Sequence, residues 1–275
     1  MTFGARLHAA MAEHGPLCAG IDPHGPLLRA WGYDDDVAGL ERFTMTAVEA
    51  LAPYVAAVKP QSAFFERFGS RGVAVLERAI VAARAAGTQV ILDVKRGDIG
   101  STSQAYADAY LNQTSPMAVD AITASPYLGF GSLEPMYDTA REYGAGVFVL
   151  ALTSNSEGPQ VQQATTQGGT VAGAVLAGLA ELNRGDVPLG SFGAVVGATI
   201  GSTSESLAIN GPLLVPGFGA QGGTARDICG LFADVLGTVM PSSSREILST
   251  GPDPRALREA ALRTNDHLRA IFGSL

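Results

Sequence analysis

The sequence predicts a (β/α)8 barrel, a parallel TIM-type α/β fold, with one extra helix in front. Eight short apolar runs alternate with stretches of helical periodicity, and no linker-like segment divides the 275 residues. The polar residues best suited to chemistry gather at the C-terminal ends of the apolar runs. An open doubly wound sheet is the alternative arrangement of the same elements. Either way the chain reads as a single domain spanning residues 1–275.

The leading helix is expected over residues 1–14. Strands are expected at 17–22, 55–61, 89–95, 121–126, 147–154, 194–199, 213–217 and 238–241. Most are continuous apolar runs, the pattern of parallel strands buried on both faces. Helical spacing marks 40–51, 72–86, 103–111, 132–143, 171–182, 225–236 and 254–272, with a short helix at 204–209. The longest polar interruption, 155–169, follows the fifth strand and is rich in Gln and Thr. Loops of that length often carry function.

Composition narrows the class. With 47% hydrophobic and 16% charged residues the chain suits a globular core. A net charge of −8 argues against a nucleic-acid surface. No stretch reaches the roughly 18 apolar residues of a membrane span, and the N-terminus lacks the apolar core of a signal peptide. Cys18 and Cys229 have no metal-type spacing, so both are expected reduced and buried, which fits the cytoplasm.

Of the 18 basic residues, sixteen are arginine and only Lys59 and Lys95 are lysine. An ammonium can release its proton in a compact site, whereas a guanidinium cannot. Both lysines fall at strand ends, where a parallel barrel builds its active site. Asp93 and Lys95 are two apart on the third strand and so share a face, with Val94 pointing outward. Lys59 ends the neighbouring strand. Clustering these charges costs several kcal/mol of desolvation per ion, so such a group is better explained by chemistry than by stability.

Two features point to a phosphate ligand. The segment Pro216–Gly223 follows the seventh strand, and Pro241–Glu246 follows the eighth, the usual phosphate site of this architecture. Arg245 offers a bidentate contact and Gln221 an amide donor. The histidines add little: His24 follows Asp22 in the first loop and reads as a solvated residue.

Residues 92–102, LDVKRGDIGST, resemble the D-x-K-x-x-D-I-x-x-T signature of the orotidine 5′-phosphate decarboxylase family. Gly20–Pro23, Val58–Gln61, Pro216–Gly219 and Ser244–Arg245 resemble its other strand-end motifs, in order, so the likeness runs from about residue 16 to 246. The longer loops and the Pro-Gln after Lys59 look like the bacterial branch with larger subunits (type 2). The resemblance implies conversion of orotidine monophosphate to uridine monophosphate and CO2, a step of pyrimidine biosynthesis, with no metal or organic cofactor. It implies that Lys95 protonates C6 and that Asp93 lies beside the departing carboxylate. Lys59 and Asp98 would complete the charged array, and Asp22 with Lys59 would hold ribose hydroxyls. Ser154 would contact the pyrimidine, and Gln221 and Arg245 the phosphate. Asp98 and Thr102 would reach into the neighbouring site of a homodimer.

Other readings of the same residues stay open. A metal-dependent keto-sugar phosphate decarboxylase would share D-x-K-x-x-D and use its carboxylates for Mg²⁺. A Schiff-base aldolase would use Lys59 or Lys95 as nucleophile, and a silent barrel would only bind a phosphorylated ligand.

Overall fold

We describe a computed structural model, which covers residues 1–219 and 222–273. Its eight barrel strands are β1 (Cys18–Ile21), β2 (Ala57–Pro60), β3 (Gln89–Arg96), β4 (Ala121–Ala124), β5 (Gly146–Leu152), β6 (Phe192–Val196), β7 (Leu213–Pro216) and β8 (Val239–Ser243). All pair in parallel, and the sheet closes in the order β1-β8-β7-β6-β5-β4-β3-β2. Closure excludes the open-sheet alternative.

The barrel interior is built in layers. Each strand sends one side chain into the lower core: Cys18, Ala57, Ile91, Ala121, Phe148, Val195, Leu214 and Met240. Phe3 and Leu7 of the leading helix, Phe3–His14, join that cluster and plug its floor. Phe3 meets Phe148 edge-on at 5.9 Å. Gly146 makes this possible, because a Cβ there would stand 2.2 Å from the Phe3 ring. Because inward positions recur every second residue, the next layer up is fixed by the first. It contains Lys59, Asp93, Thr123, Leu150, Pro216 and Ser242, so chemistry begins one pleat above a dry floor.

Helices cover the outside, and several start at a residue whose side chain accepts from an early N–H. Asp36 caps Val37–Leu51, Thr170 caps Val171–Leu182, and Thr224 with Asp227 forms a reciprocal box at Ala225–Phe232. The expected helix at 204–209 does not form; residues 201–212 run as irregular chain between β6 and β7. Side chains of neighbouring elements hold this stretch instead. Asn183, fully buried, donates to the carbonyls of Phe192 and Ile209, and Glu205 accepts from Thr170 Oγ1 at 2.9 Å. The long loop after β5 holds a short helix, Pro159–Gln162, and a two-stranded ribbon pairing Thr165–Thr166 with Gly169–Thr170.

Among the described residues no helix is long and apolar enough to cross a membrane. Both cysteines are free thiols; Cys18 is buried as expected, whereas Cys229 is only half-buried.

Candidate active site

A cavity of about 240 Å³ opens at the C-terminal ends of the strands. Asp22, Lys59, Asp93, Lys95 and Arg245 line it, together with Gln61, Thr123, Ser242 and Ser244. Three cationic side chains face two acidic ones, so the cavity favours an anion although the whole chain is acidic.

Asp93 is its centre. Lys59 Nζ lies 2.9 Å from Asp93 Oδ2, and Lys95 Nζ lies 2.5 Å from Oδ1. Thr123 Oγ1 donates to the same Oδ1 at 2.8 Å, and Gln61 Nε2 donates to the Asp93 carbonyl at 3.3 Å. Burial opposes the charged form of Asp93 and is the largest single influence on it. The two ammoniums nevertheless prevail and hold the carboxyl well below the ordinary range. For Lys59 burial again opposes the charge, but Asp93, then Asp22, raise its pKa above the ordinary lysine value. Lys59 is therefore a fixed cation and a poor nucleophile, which counts against Schiff-base chemistry at that residue. Beneath it, burial pushes the Cys18 thiol up to about 12.

The third strand does not reach this geometry by regular pleating. Its pairing with β4 passes from Leu92–Ile122 to Arg96–Ala124, so three residues of β3 stand opposite the single Thr123. Lys95 sits in this bulge with φ 46°, a left-handed conformation that costs an L-residue roughly 1–2 kcal/mol. Its N–H, taken out of the ladder, donates to Thr123 Oγ1 at 2.9 Å. The Lys95 side chain is 45% exposed, against 8% for Lys59.

The rest of the expected set divides. Asp22 lines the cavity, and its buried Oδ1 has no hydrogen-bond partner among the described residues. Gly20 lets it and Ser244 come together, since a Cβ at Gly20 would stand 2.7 Å from Ser244 Cβ. Arg245 stands at the mouth, exposed, with no ion-pair partner among the described residues. In the loop after β7, the N–H groups of Gly219, Gly222 and Gly223 donate within the loop. Gln221 lies outside the described residues. Ser154 is exposed and lines an adjoining polar cavity of about 520 Å³ that shares Thr153 with the first.

Asp98 and Thr102 do not line their own chain's cavity; Asp98 Oδ1 instead accepts from Ile99 N at 2.8 Å. His24 is half-buried rather than solvated, with Nδ1 capping Gly25–Ala30.

Sequence reasoning missed Thr123 and Gln61 as parts of the site. A signal existed for each: Thr123 is the polar residue of an otherwise apolar strand, and Gln61 is two places beyond Lys59, on the same face.

Residues 15–260 match the orotidine 5′-phosphate decarboxylase / HUMPS family. The chain belongs to that family. It is 66% identical to an orotidine 5′-phosphate decarboxylase of Nocardioides sp. over 98% of this chain and 99% of the relative. A Salinispora arenicola protein of the same name is 63% identical, over 98% of each chain. Among solved structures, one from Streptomyces avermitilis, described as a provisional orotidine 5′-phosphate decarboxylase, superposes with a TM-score of 0.97. It is 60% identical and covers 99% of this chain and 96% of its own. The OMP decarboxylase of Leishmania donovani, 30% identical, gives a TM-score of 0.76 over 99% of this chain and 100% of its own.

Proposed function

We propose that the protein decarboxylates orotidine 5′-phosphate to uridine 5′-phosphate and CO2, as a carboxy-lyase of pyrimidine biosynthesis, and needs no metal or organic cofactor. The observation that carries this reading is the Lys59–Asp93–Lys95 array, two to three strands around the barrel from Arg245, which has no ion-pair partner among the described residues.

Breaking the C6–carboxylate bond leaves an electron pair in an sp² orbital that the ring π-system cannot absorb. The Lys95 ammonium stabilises that charge electrostatically and delivers a proton to C6 as CO2 departs. Its partial exposure lets it regain a proton from solvent. Asp93 lies beside the substrate carboxylate, held ionised and in place by its two lysines. Lys59 and Asp22 Oδ1, which has no hydrogen-bond partner among the described residues, take ribose hydroxyls. Arg245 and Gln221 take the phosphate, whose binding energy helps close the site around the transition state. Ser154 reaches the pyrimidine.

The active unit is a homodimer in which Asp98 and Thr102 complete the neighbour's site. Ile99, Tyr127 and Leu128 support this: they are large, apolar and 53–75% exposed, on two adjoining loops that also carry Asp98. The unpaired thiols suit a cytoplasmic location.

A spectrophotometric assay of orotidine 5′-phosphate loss, with and without chelator, tests the activity. Full turnover in chelator is expected. A folded dimer without turnover would overturn the assignment, and loss of activity restored by Mg²⁺ would overturn the reading that the reaction needs no metal. Both Asp93 oxygens are already engaged by lysines, which weighs against a cation there.

A further inference from the structure

We infer that Thr123 is a positioning residue for catalysis, one hydroxyl that sets both the Lys95 backbone and the Asp93 carboxylate; this rests on the reading of Lys95 and Asp93 as the reacting pair. Thr123 is 1% exposed and is the single β4 residue facing the three-residue bulge of β3. Its oxygen accepts from Lys95 N at 2.9 Å, and its proton goes to Asp93 Oδ1 at 2.8 Å. Lys95 Nζ reaches that same Oδ1 at 2.5 Å.

The three contacts form a closed loop: hydroxyl to carboxylate, carboxylate to ammonium, and back through the Lys95 chain to the hydroxyl. In a regular ladder, a β4 carbonyl would take the Lys95 N–H. The bulge removes that acceptor, and a part-buried N–H left without one is costly. Only a residue that both accepts and donates at one atom can serve the N–H and the carboxylate together, which selects a hydroxyl. Thr adds a β-branch that restricts χ1, so the oxygen is held where both partners need it. The left-handed φ of Lys95 persists because its surroundings fix it, and Thr123 is the side chain that does so. Without it the bulge is free to relax and carry the ammonium away from C6. A displacement of about 1 Å in a reacting group can cost on the order of a hundredfold in rate.

Thr123→Val keeps the shape and removes both hydrogen bonds, whereas Thr123→Ser keeps the hydroxyl. Expected for Val is a fall in kcat of about tenfold or more, with KM and uridine 5′-phosphate affinity within about threefold of the parent. Ser should recover most of the rate. Parental kcat in Val, a loss in Ser equal to that in Val, or a loss confined to melting temperature would overturn the role. Should Val fail to fold, Ser and Ala decide: Ser near the parent with Ala down about tenfold supports it, and equal rates overturn it. Lys95→Ala, assayed alongside, separates the two claims. If that variant keeps turnover the assignment of the reacting pair fails, whereas its inactivity beside a fully active Val variant sinks Thr123 alone.

Discussion

Lys59 Nζ and Asp93 Oδ2 stand 2.9 Å apart with less than a tenth of either side chain exposed. Two such charges taken out of water stabilise a fold only while both are present and paired. The pair is thus a pH-dependent element of stability as well as part of the site.

Asp93 has a depressed folded pKa. Its contribution is fully present above the ordinary value of 3.8 and is lost as pH falls through the folded value. Lys59 has a raised one, so its contribution is fully present below 10.5 and is lost as pH rises through the folded value. Across neutral pH both hold. Asp93→Asn should destabilise the protein at neutral pH by roughly 3 kcal/mol, because it leaves two ammoniums without their counter-charge. In urea titrations the gap to the parent should narrow below pH 3.8. A gap that stays constant would show that the pair is not the source.

Lys95→Arg keeps a positive charge near C6 but not an acid of useful strength. Turnover should fall by about 10³-fold. Affinity for uridine 5′-phosphate, measured by calorimetry, should change far less, since Arg245 is untouched. A variant with near-parental turnover would show that charge alone suffices.

Trp31, the only tryptophan, donates its indole N–H to the carbonyl of Leu248 at 2.8 Å. Leu248 ends the short helix that begins with Arg245, so Trp31 anchors the strand-8 side of the cavity. Trp31→Phe leaves that carbonyl with only the longer hydrogen bond from Gly251 N, at 3.3 Å, and should cost about 1 kcal/mol in thermal or chemical unfolding. KM should rise more than kcat falls, because the change loosens the phosphate side and not the lysines. An unaltered KM would dissociate the anchor from substrate binding.

A dimer with shared sites predicts complementation. Lys95→Ala and Asp98→Ala are each expected to be nearly inactive alone. Mixed and allowed to exchange, they should form heterodimers with one intact site, recovering up to about a quarter of parental activity. No recovery despite demonstrated exchange would place Asp98 in its own chain's chemistry or outside it.

Much of the site was legible because strand ends are legible. Short apolar runs, most of them continuous, marked all eight strands, and the two lysines in an arginine-rich chain marked the mouth. The helix expected at 204–209 failed for a tertiary reason: the Asn183 amide and the Thr170–Glu205 contact offer that stretch partners that a helix would have to supply itself. Thr123 went unnoticed because a lone threonine in an apolar strand declares neither its face nor what stands opposite.

The sequence by itself determined that Asp93 and Lys95 belong together: two positions on one strand, beside Lys59, in an order shared with a family of decarboxylases. Only the tertiary structure decided how they meet. The left-handed turn at Lys95 has no local cause, since lysine has no preference for it. It follows from the offset between β3 and β4, a pairing of segments about thirty residues apart. Spacing along one strand can name the partners. The oxygen each ammonium takes is set by the strand next door.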